Sequence, residues 1–417
     1  MASAEAYEER MTDTELTVRT LQATDADEVV EVVHHAFLAD ATPASREREL
    51  SVFEPGRYHG VFDSETMIGV GGMLTRNLTV PGLVPVPVAA VTAVGVLPDH
   101  RRRGALTMLM RRQLHELHES RGEPIAALWA SEGGIYGRFG YGLASRTWRM
   151  SLQRPVRFRG PAPAGSQRVQ LLGADRARVL LRKLHGEYVS IRVGGLSRPE
   201  QGWTYVLFDD ASQRSGAGEL RFAVHPCGYA IFRVKENWLP GGPRHEVMIR
   251  ELVSTTVEGH AAIWRFLLNL DLVGEVRYFN TPLDEPLQMM LADPFAVRAE
   301  LRDGLFVRLV DLDRALGARR YAAPAELVFD VTDELCPWNA GRWRLSVDQW
   351  GTGRVERTAA AADLACDVVD LGAAYLGGTR LRVLAAAGRV RELRAGAAAL
   401  ASRVFAGENE PHCLEVF

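Results

Sequence analysis

The apolar positions in the first third of the chain follow two different periods. Residues 14–40 predict a strand, a turn and a helix, because Val29, Val33 and Phe37 recur at the spacing of one helical face. Residues 58–82 alternate between apolar and polar side chains, which predicts two antiparallel strands joined by the polar turn DSET. The following segment, PVPVAAVTAVGVLPDH, predicts a buried strand that ends at Pro98.

A helix and a further strand complete this first unit. The segment RRRGALTMLMRRQLHELHESRG predicts a helix that ends at Gly122. Its apolar stripe consists of Leu106, Leu109, Met110, Leu114 and Leu117. EPIAALWAS predicts another buried strand, and a glycine-rich segment follows it. This order of elements predicts an α/β domain that closes near residue 150.

The rest of the chain divides into two more units. Residues 157–167, RFRGPAPAGSQ, have the proline and glycine content of a linker. After it, a helix over 173–189, alternating strands and the helix VEGHAAIWRFLLNL repeat the order of the first unit, which suggests a degenerate duplicate. A third unit of strands and alanine-rich helices begins at LFVRLVDLDRALGARRY.

Composition narrows the class of protein. The 417 residues carry 49 basic and 52 acidic side chains, a net charge of −3, so no overall basic field favours nucleic acid. The four cysteines are scattered without a C-x-x-C pair, which argues against a disulfide framework or a structural zinc site, and we expect no metal. Residues 1–16 lack the features of a signal peptide, and no apolar run approaches the ~18 residues of a membrane span. A cytoplasmic protein without a membrane partner is expected.

The segment VTAVGVLPDHRRRGALTMLM carries the first chemical signal. A buried strand ends, three arginines follow, and Gly104 opens a helix. A helix N-terminus has unpaired N–H groups and a partial positive charge that favour phosphate, and glycine lets the backbone approach a ligand. The spacing differs from the Walker and G-x-G-x-x-G loops. Phosphate binding and a solvated basic turn both remain open at this point.

This loop resembles the acyl-CoA signature of the GCN5-related N-acetyltransferase (GNAT) superfamily, with Arg101, Gly104 and Leu106 at the signature positions. Leu106 stands where a small residue is usual. The later segment ALWASEGGIYGRFGYG resembles the superfamily's strand and aromatic motif through Tyr136, Gly140 and Tyr141. The resemblance implies that acetyl-CoA is the cosubstrate and is held by Val94, Val96, Arg101, Arg102, Arg103, Gly104, Ala105, Leu106 and Ser131.

Over the whole chain, these motifs together with HPCGYAIFRV and DGLFVRLVDLDRALGARRY resemble the enhanced intracellular survival (Eis) family. The resemblance implies an α/β (α+β) fold of two tandem GNAT-like domains followed by a sterol-carrier-protein-like domain. The expected boundaries are 1–156 for the N-terminal acetyltransferase domain, 157–300 for the degenerate GNAT-like domain and 301–417 for the last domain. It also implies a homohexamer, as a trimer of dimers or a dimer of trimers.

The same resemblance implies the chemistry. The carboxylate of Phe417 acts as general base and Tyr136 as general acid, and the acceptor is a small-molecule amine, foremost an aminoglycoside acetylated at several positions. Protein lysine acetylation is an alternative activity. The family's pocket is acidic, and Asp40, Phe37 and Glu415 are the candidate substrate-binding residues.

Two alternatives compete with this hypothesis. The apolar tail LEVF is also what a last strand docked against a core would show, without any chemistry. The third unit alone would fit a lipid or sterol carrier.

Overall fold

A computed structural model of the chain describes residues 16–161 and 168–417. Residues 1–15 of the segment inspected above for signal-peptide features and residues 162–167 of the predicted linker lie outside the described residues. Three β-sheets organise the rest of the chain, with seven, seven and five strands in the described part, beside a two-stranded ribbon.

The first sheet has the order β1-β2-β3-β4-β5-β16-β6. All its pairs are antiparallel except β4 with β5, which run parallel. Its strands are β1 (Thr17–Leu21), β2 (Tyr58–Asp63), β3 (Thr66–Val80), β4 (Val84–Val96), β5 (Ile125–Trp129), β6 (Gly142–Leu143) and β16 (Leu305–Leu309).

Three helices belong to this sheet. They are α1 (Ala26–Phe37), α2 (Pro43–Leu50) and α3 (Ala105–Ser120). α1 packs on β3 and β4 through a buried valine-rich face, as the apolar period predicts. α2 begins at a capping box in which Thr42 and Ser45 satisfy each other's backbone N–H groups. α3 buries Leu109 and Leu114 against the sheet and begins directly after Gly104.

The second sheet has the order β15-β7-β14-β13-β10-β9-β8, with β13 and β14 parallel. Its strands are β7 (Arg146–Gln153), β8 (Gln170–Leu172), β9 (Arg221–His225), β10 (Gly228–Lys235), β13 (His245–Ser254), β14 (Val273–Pro282) and β15 (Val297–Asp303), and β11 (Trp238–Leu239) and β12 (Gly242–Pro243) form the ribbon. The helices are α4 (Ala174–Ile191), α5 (Glu200–Leu207), α6 (Val257–Leu268) and α7 (Leu287–Met290).

The second unit repeats the order of elements of the first. Its helix N-terminus and the gap between its parallel strands are, however, filled by protein groups. β13, α6 and β14 follow the same path as β4, α3 and β5. The N-terminus of α6 is capped by its own Thr256 side chain, which accepts from the N–H of Gly259 at 3.1 Å. The Tyr278 hydroxyl accepts a hydrogen bond from the N–H of Leu252 at 3.3 Å, in the gap between the two parallel strands. Both features occupy positions that a ligand would need.

Two strands cross the boundaries expected from the sequence. β7, which precedes residue 156, lies in the second sheet between β14 and β15. β16, which follows residue 300, lies in the first sheet between β5 and β6. Every residue of β16 and all but the last residue of β5 are buried, so the backbone N–H and C=O groups on both edges of these strands need hydrogen-bond partners. The exchange joins the two GNAT-like units.

The third sheet has the order β19-β18-β17-β20-β21. Its strands are β17 (Ala325–Thr332), β18 (Gly341–Val347), β19 (Gly353–Arg357), β20 (Leu364–Asp367) and β21 (Arg391–Glu392), and its helices are α8 (Leu312–Ala318), α9 (Val368–Ala374), α10 (Leu381–Ala386) and α11 (Ala397–Val404). Phe329 and Trp343 of this sheet share one apolar core with Val88 and Val307 of the first sheet. The third domain therefore packs on the first.

Candidate active site

A cavity of about 430 Å³ lies where the first sheet, the second domain and the C-terminus meet. The first domain contributes residues of α1, of the loop after α2, and of β4 and β5. The second domain contributes Leu196 and Tyr205, among others. The chain's last three residues, Glu415, Val416 and Phe417, complete the lining.

One side of the cavity is formed by strands that separate. β4 pairs with β5 only from Val88 to Ala90, and then continues to Val96 on β3 alone. The register with β3 shifts after Val70, and Ala93 has a φ of 52°, so the strand bulges here. Beyond Ala90 its backbone has no strand partner on the β5 side among the described strands. An extended ligand can bind in such a gap by backbone hydrogen bonds.

The predicted cosubstrate residues of β4 and β5 take different positions. Val94 and Ser131 line the cavity, whereas Val96 lies at the end of β4 outside the lining, paired with Gly69. Ala105 is buried in the first turn of α3, and Leu106 is half-buried against the core beneath that helix. The Leu106 side chain therefore does not fill the loop that precedes α3.

The loop before α3 has the geometry that an anion requires. Gly104 has a φ of +87°, and a Cβ placed on it would find nothing within 4 Å. Met108 is the first residue of α3 whose N–H bonds back along the chain, to the Gly104 carbonyl at 3.0 Å. The preceding N–H groups at this helix end have no carbonyl one turn earlier in the helix, so they are available to a phosphate.

The three arginines of the loop differ in their partners. The Arg101 guanidinium donates to the carbonyl of Ala36 at 3.1 Å, which ties the loop to α1. Arg103 pairs with Asp63 at 2.6 Å. Arg102 is exposed and has a φ of 66°. Of the three, Arg102 is the one whose side chain makes neither an ion pair nor a hydrogen bond among the described residues.

Tyr136 lines the cavity beside β5 and is 7% exposed. It begins a short 3-10 helix, Tyr136–Phe139, that ends at Gly140. Burial raises the pKa of Tyr136, and the nearby Glu132 carboxylate raises it further. The side chain is thus a neutral phenol at physiological pH and can donate a proton, but cannot act as a base.

A buried arginine supports this turn from below. Arg308 of β16 is 0% exposed and forms two hydrogen bonds with Asp333, at 2.9 and 2.7 Å. A Cβ on Gly140 would lie 2.5 Å from the Arg308 guanidinium, so this position has room only for glycine. The Tyr-x-x-x-Gly pattern in the sequence therefore has a packing reason in this fold.

The C-terminal tail docks on the second domain without forming a strand. Residues 406–417 contain no helix or strand, and the prediction of a docked last strand is wrong in that respect. The N–H of His412 donates to the Val193 carbonyl at 2.9 Å. The Asn280 amide donates to the carbonyls of Cys413 and Leu414, at 3.0 and 3.2 Å. The side chain of Asn280 thus binds tail carbonyls that, in a docked strand, would accept from the backbone of a neighbouring strand.

Glycine is required beneath the tail. Gly194 has a φ of +90°, and a Cβ on it would lie 2.9 Å from the backbone of His412. Leu414 is buried in the apolar core of the second domain. The terminal Phe417 is half-buried and packs against the core beneath α1. The tail leaves the third domain, crosses the second and ends in the first.

A buried ion-pair network anchors the tail near its end. Arg198 donates to both oxygens of Glu251, at 3.1 and 2.7 Å, and also to Glu415. The hydroxyl of Tyr229 donates to Glu251. Burial raises the pKa of Glu415, and Arg198 opposes that rise. The Glu415 carboxylate is thus engaged in an ion pair with Arg198.

Two of the three expected substrate-binding residues lie at the cavity, and one does not. Phe37 and Glu415 line the cavity, whereas Asp40 is exposed and lies outside the lining. The lining contains two acidic side chains, Glu49 and Glu415, and two basic ones, Arg76 and Arg198. Arginines from β3 and the second domain therefore balance the acidic side chains of the lining, and the acidic pocket expected from the resemblance stays a prediction.

The residues that sequence reasoning missed come from the second domain. Arg198 and Asn280 hold the tail, and Tyr205 lines the cavity. No local motif marks Arg198 among the chain's many arginines, and its role depends on a partner more than two hundred positions away. Only the fold brings these residues to the tail.

Comparison with known families agrees with this architecture. A model described as acetyltransferase (GNAT) domain matches residues 17–144, and a second GNAT acetyltransferase model matches residues 194–309. A sterol carrier protein domain model matches residues 312–414. The fold class predicted from the sequence is confirmed, and GNAT acetyltransferases use acetyl-CoA.

Relatives match over most of the chain. An uncharacterized N-acetyltransferase of Streptomyces avermitilis is 42% identical over 404 residues, covering 94% of this chain and 98% of the relative. N-acetyltransferase Eis of Mycobacterium tuberculosis is 36% identical over 345 residues, covering 80% and 81%. The crystal structure of Eis1 from Mycobacterium abscessus superimposes with a TM-score of 0.85 at 35% identity, covering 96% of this chain and 100% of that one. The chain therefore belongs to the Eis family of GNAT N-acetyltransferases.

Proposed function

We propose that this N-acetyltransferase transfers the acetyl group of acetyl-CoA directly to a primary amine, with the Phe417 carboxylate as general base and Tyr136 as general acid. The supporting observation is that Tyr136 of the first domain and the C-terminal Phe417, which are far apart in the sequence, line one cavity beside the gap between β4 and β5. A tail that only stabilised the fold would not need to end in this cavity.

The described residues fit acetyl-CoA, which supplies the acetyl group as an activated thioester. The backbone of β4 at Val94 and Val96 is free of β5 and would bind the pantetheine arm. The open N–H groups of the loop between Arg102 and Leu106 would hold the pyrophosphate, with Arg102 adding a positive charge. Ser131 lies in the lining near the end of β5.

The reaction needs two protons to leave the nitrogen and one to reach the sulfur. The Phe417 carboxylate removes a proton from the ammonium, directly or through a water, and the free amine nitrogen bonds to the thioester carbon. The carbon–sulfur bond then breaks and the sulfur receives a proton from Tyr136. The nitrogen gives up its surplus proton, which passes through water to restore Tyr136, and the Phe417 carboxylic acid releases the first proton to solvent. The products are an amide and the free CoA thiol, so that atoms and charge balance.

The setting of each group suits its role. Burial keeps Tyr136 protonated, as a general acid must be. Phe417 packs against the apolar core beneath α1. An apolar setting makes a carboxylate a better base than it is in water, since desolvation disfavours its charged form.

The acceptor is tested by a thiol-release assay with acetyl-CoA and a panel of amines. Aminoglycosides such as kanamycin, the acceptors expected from the resemblance, belong in the panel with lysine peptides, polyamines and monoamines. Amine-dependent release of thiol, with a gain of one or more acetyl masses on the amine, is the expected result. Absence of release with every amine would contradict the proposed function.

A further inference from the structure

The last turn of α1 lies beside the cavity and beside β4. Phe37, the final residue of α1, lines the cavity and is 50% exposed, whereas Ala36, the residue before it, is buried. A half-exposed side chain is held by fewer contacts than a buried one. The position of Phe37 therefore depends mainly on how the backbone of this turn is held.

A side chain from the loop before α3, the cosubstrate loop, completes the end of this helix. The last carbonyls of a helix have no N–H donor within the helix itself. Leu38 and Ala39, which follow α1, donate to carbonyls that precede Ala36, and no backbone N–H of the described residues donates to the Ala36 carbonyl. That carbonyl accepts instead from the Arg101 guanidinium, at 3.1 Å and from 65 positions away in the sequence. A positive charge also suits the partly negative end of a helix.

The strand that leads to the cosubstrate loop touches the same turn. A Cβ on Gly95 would lie 2.6 Å from the Cβ of Ala36, so β4 and α1 are in contact here and the position has room only for glycine. Gly95 lies beyond Ala90, in the part of β4 that has no partner on the β5 side among the described strands. The strand proposed to bind the pantetheine arm and the loop proposed to bind the pyrophosphate thus meet at one turn of α1.

The other two arginines of the cosubstrate loop have different surroundings. Arg103 pairs with Asp63 of β2 at 2.6 Å. The Arg102 side chain makes neither an ion pair nor a hydrogen bond among the described residues, so it can turn toward a phosphate. The resemblance placed Arg101 among the residues that hold acetyl-CoA, but its guanidinium is bonded to the helix that carries Phe37.

We infer that, given the acetyl transfer proposed above, Arg101 is a positioning residue for the acceptor side of the site. Its hydrogen bond holds the last turn of α1 against β4 and the cosubstrate loop, and so sets the position of Phe37 in the cavity. The pyrophosphate is held by the backbone N–H groups of the loop and by Arg102. Loss of the Arg101 guanidinium therefore weakens productive binding of the amine and leaves binding of acetyl-CoA largely intact.

A matched pair of variants tests this division of tasks. Arg101→Met and Arg102→Met each remove one guanidinium from the same exposed loop and keep a long side chain. Titration calorimetry gives the Kd of acetyl-CoA. The thiol-release assay at saturating acetyl-CoA gives KM for kanamycin, or for the panel amine with the highest rate if kanamycin is not acetylated.

The two variants should differ in which constant changes. In R101M we expect KM for the amine to rise by about fivefold to tenfold, the scale of a lost hydrogen bond from a charged group, with the Kd of acetyl-CoA within about twofold of the wild-type value. In R102M we expect the reverse, a Kd of acetyl-CoA raised by about fivefold or more and an amine KM within about twofold of the wild-type value.

A double-mutant cycle shows whether Arg101 acts through Phe37. Phe37→Ala removes the side chain that the turn positions. In the F37A background we expect R101M to change KM for the amine by less than about twofold, because the effects of two groups in one chain of contacts do not add. Additive effects of the two substitutions would overturn the inference, since Arg101 would then act by another route.

The outcomes separate this inference from the function on which it rests. A Kd of acetyl-CoA raised as much in R101M as in R102M, with KM for the amine unchanged, would make Arg101 a direct cosubstrate contact and overturn the inference. Wild-type values of both constants in R101M would also count against it. In either case, thiol release by the wild type leaves the acetyl transfer standing. Absence of release by the wild type with every amine would contradict the acetyl transfer itself, and the inference with it.

Discussion

Arg198 of the second domain donates hydrogen bonds to Glu251 on its own sheet and to Glu415, two residues before the C-terminus. Its side chain is 1% exposed and that of Glu415 is 12% exposed. The position of the terminal carboxylate therefore depends on the degenerate second domain. This domain anchors the tail, although Tyr278 closes the gap between its own parallel strands. We therefore expect Glu415 to act as a positioning residue for the carboxylate of Phe417.

The first prediction concerns Glu415. Glu415→Ala removes the bond to Arg198 and frees the end of the tail, so kcat should fall by about 10- to 100-fold, as misplacement of a reacting group does. Glu415→Gln keeps an oxygen that accepts from Arg198, and its loss should be much smaller. Steady-state kinetics with acetyl-CoA affinity from calorimetry provide the measurement. Equal kcat values in E415A and the wild type would show that the bond does not position the terminus.

The second prediction concerns the terminal carboxylate. Deletion of Phe417, or addition of one glycine after it, moves the carboxylate by about 3.3–3.6 Å along the chain. We expect kcat to fall by about 10²- to 10⁴-fold, the usual effect of losing a general base, while acetyl-CoA affinity changes little. Phe417→Leu keeps the carboxylate in place and should lose far less. Full activity of the extended chain would assign the base elsewhere.

The third prediction concerns Tyr136. Tyr136→Phe should lower kcat by about 10²- to 10⁴-fold, because the thiolate then departs without a proton donor. Burial raises the pKa of Tyr136, so the phenol stays protonated throughout the neutral and mildly alkaline range. The wild-type kcat should therefore show no alkaline decline from this group below about pH 10. A pH–rate profile that descends near pH 8 and becomes flat in Y136F would contradict this assignment.

The fourth prediction concerns Gly194. Gly194→Ala places a Cβ against the backbone of His412 and forces a φ of +90° on alanine. Because backbone cannot give way as a side chain can, we expect displacement of the tail and a fall in kcat of about tenfold or more. Gly186→Ala, within α4 and with open space around it, should be neutral or slightly stabilising. Unchanged kcat in G194A would show that the tail tolerates the shift.

The fifth prediction concerns the stability of the folded protein at acidic pH. Burial lowers the pKa of His412 to about 3 and that of His185 to about 3. Unfolded histidine takes up a proton below about pH 6.5, whereas these two stay neutral when folded. Their contribution to stability is therefore complete above pH 6.5 and is lost as pH falls toward 3, by about 1.4 kcal/mol per pH unit for each residue.

Urea unfolding at pH 7.5 and pH 5.5 measures this loss. The free energy of unfolding should fall between the two pH values in the wild type and fall less in His412→Gln, which cannot take up the proton. Parallel losses in wild type and H412Q would exclude His412 as a source of the acid sensitivity.

The sequence alone determined the domain class and the general class of activity, an N-acetyltransferase. The spacing of apolar residues located α1, α3 and the buried strands. This works because the burial of one helix face, or of a whole strand, produces a recognisable pattern within a short stretch of sequence. The loop from Arg101 to Leu106 and the motif around Tyr136 were sufficient to indicate an acetyltransferase, and they lie on the elements predicted for them. Short-range patterns of this kind survive in sequence because their partners are near neighbours.

Only the tertiary structure decided what surrounds this chemistry. It exchanged β7 and β16 between the sheets and brought Arg198, Asn280 and Tyr205 to the tail and the cavity. It also gave the acidic side chains of the lining, Glu49 and Glu415, partners in His34 and Arg198, and left Asp40 outside. These are long-range contacts between segments with no shared motif, and their energy depends on burial and charge pairing that exist only once the three domains have packed.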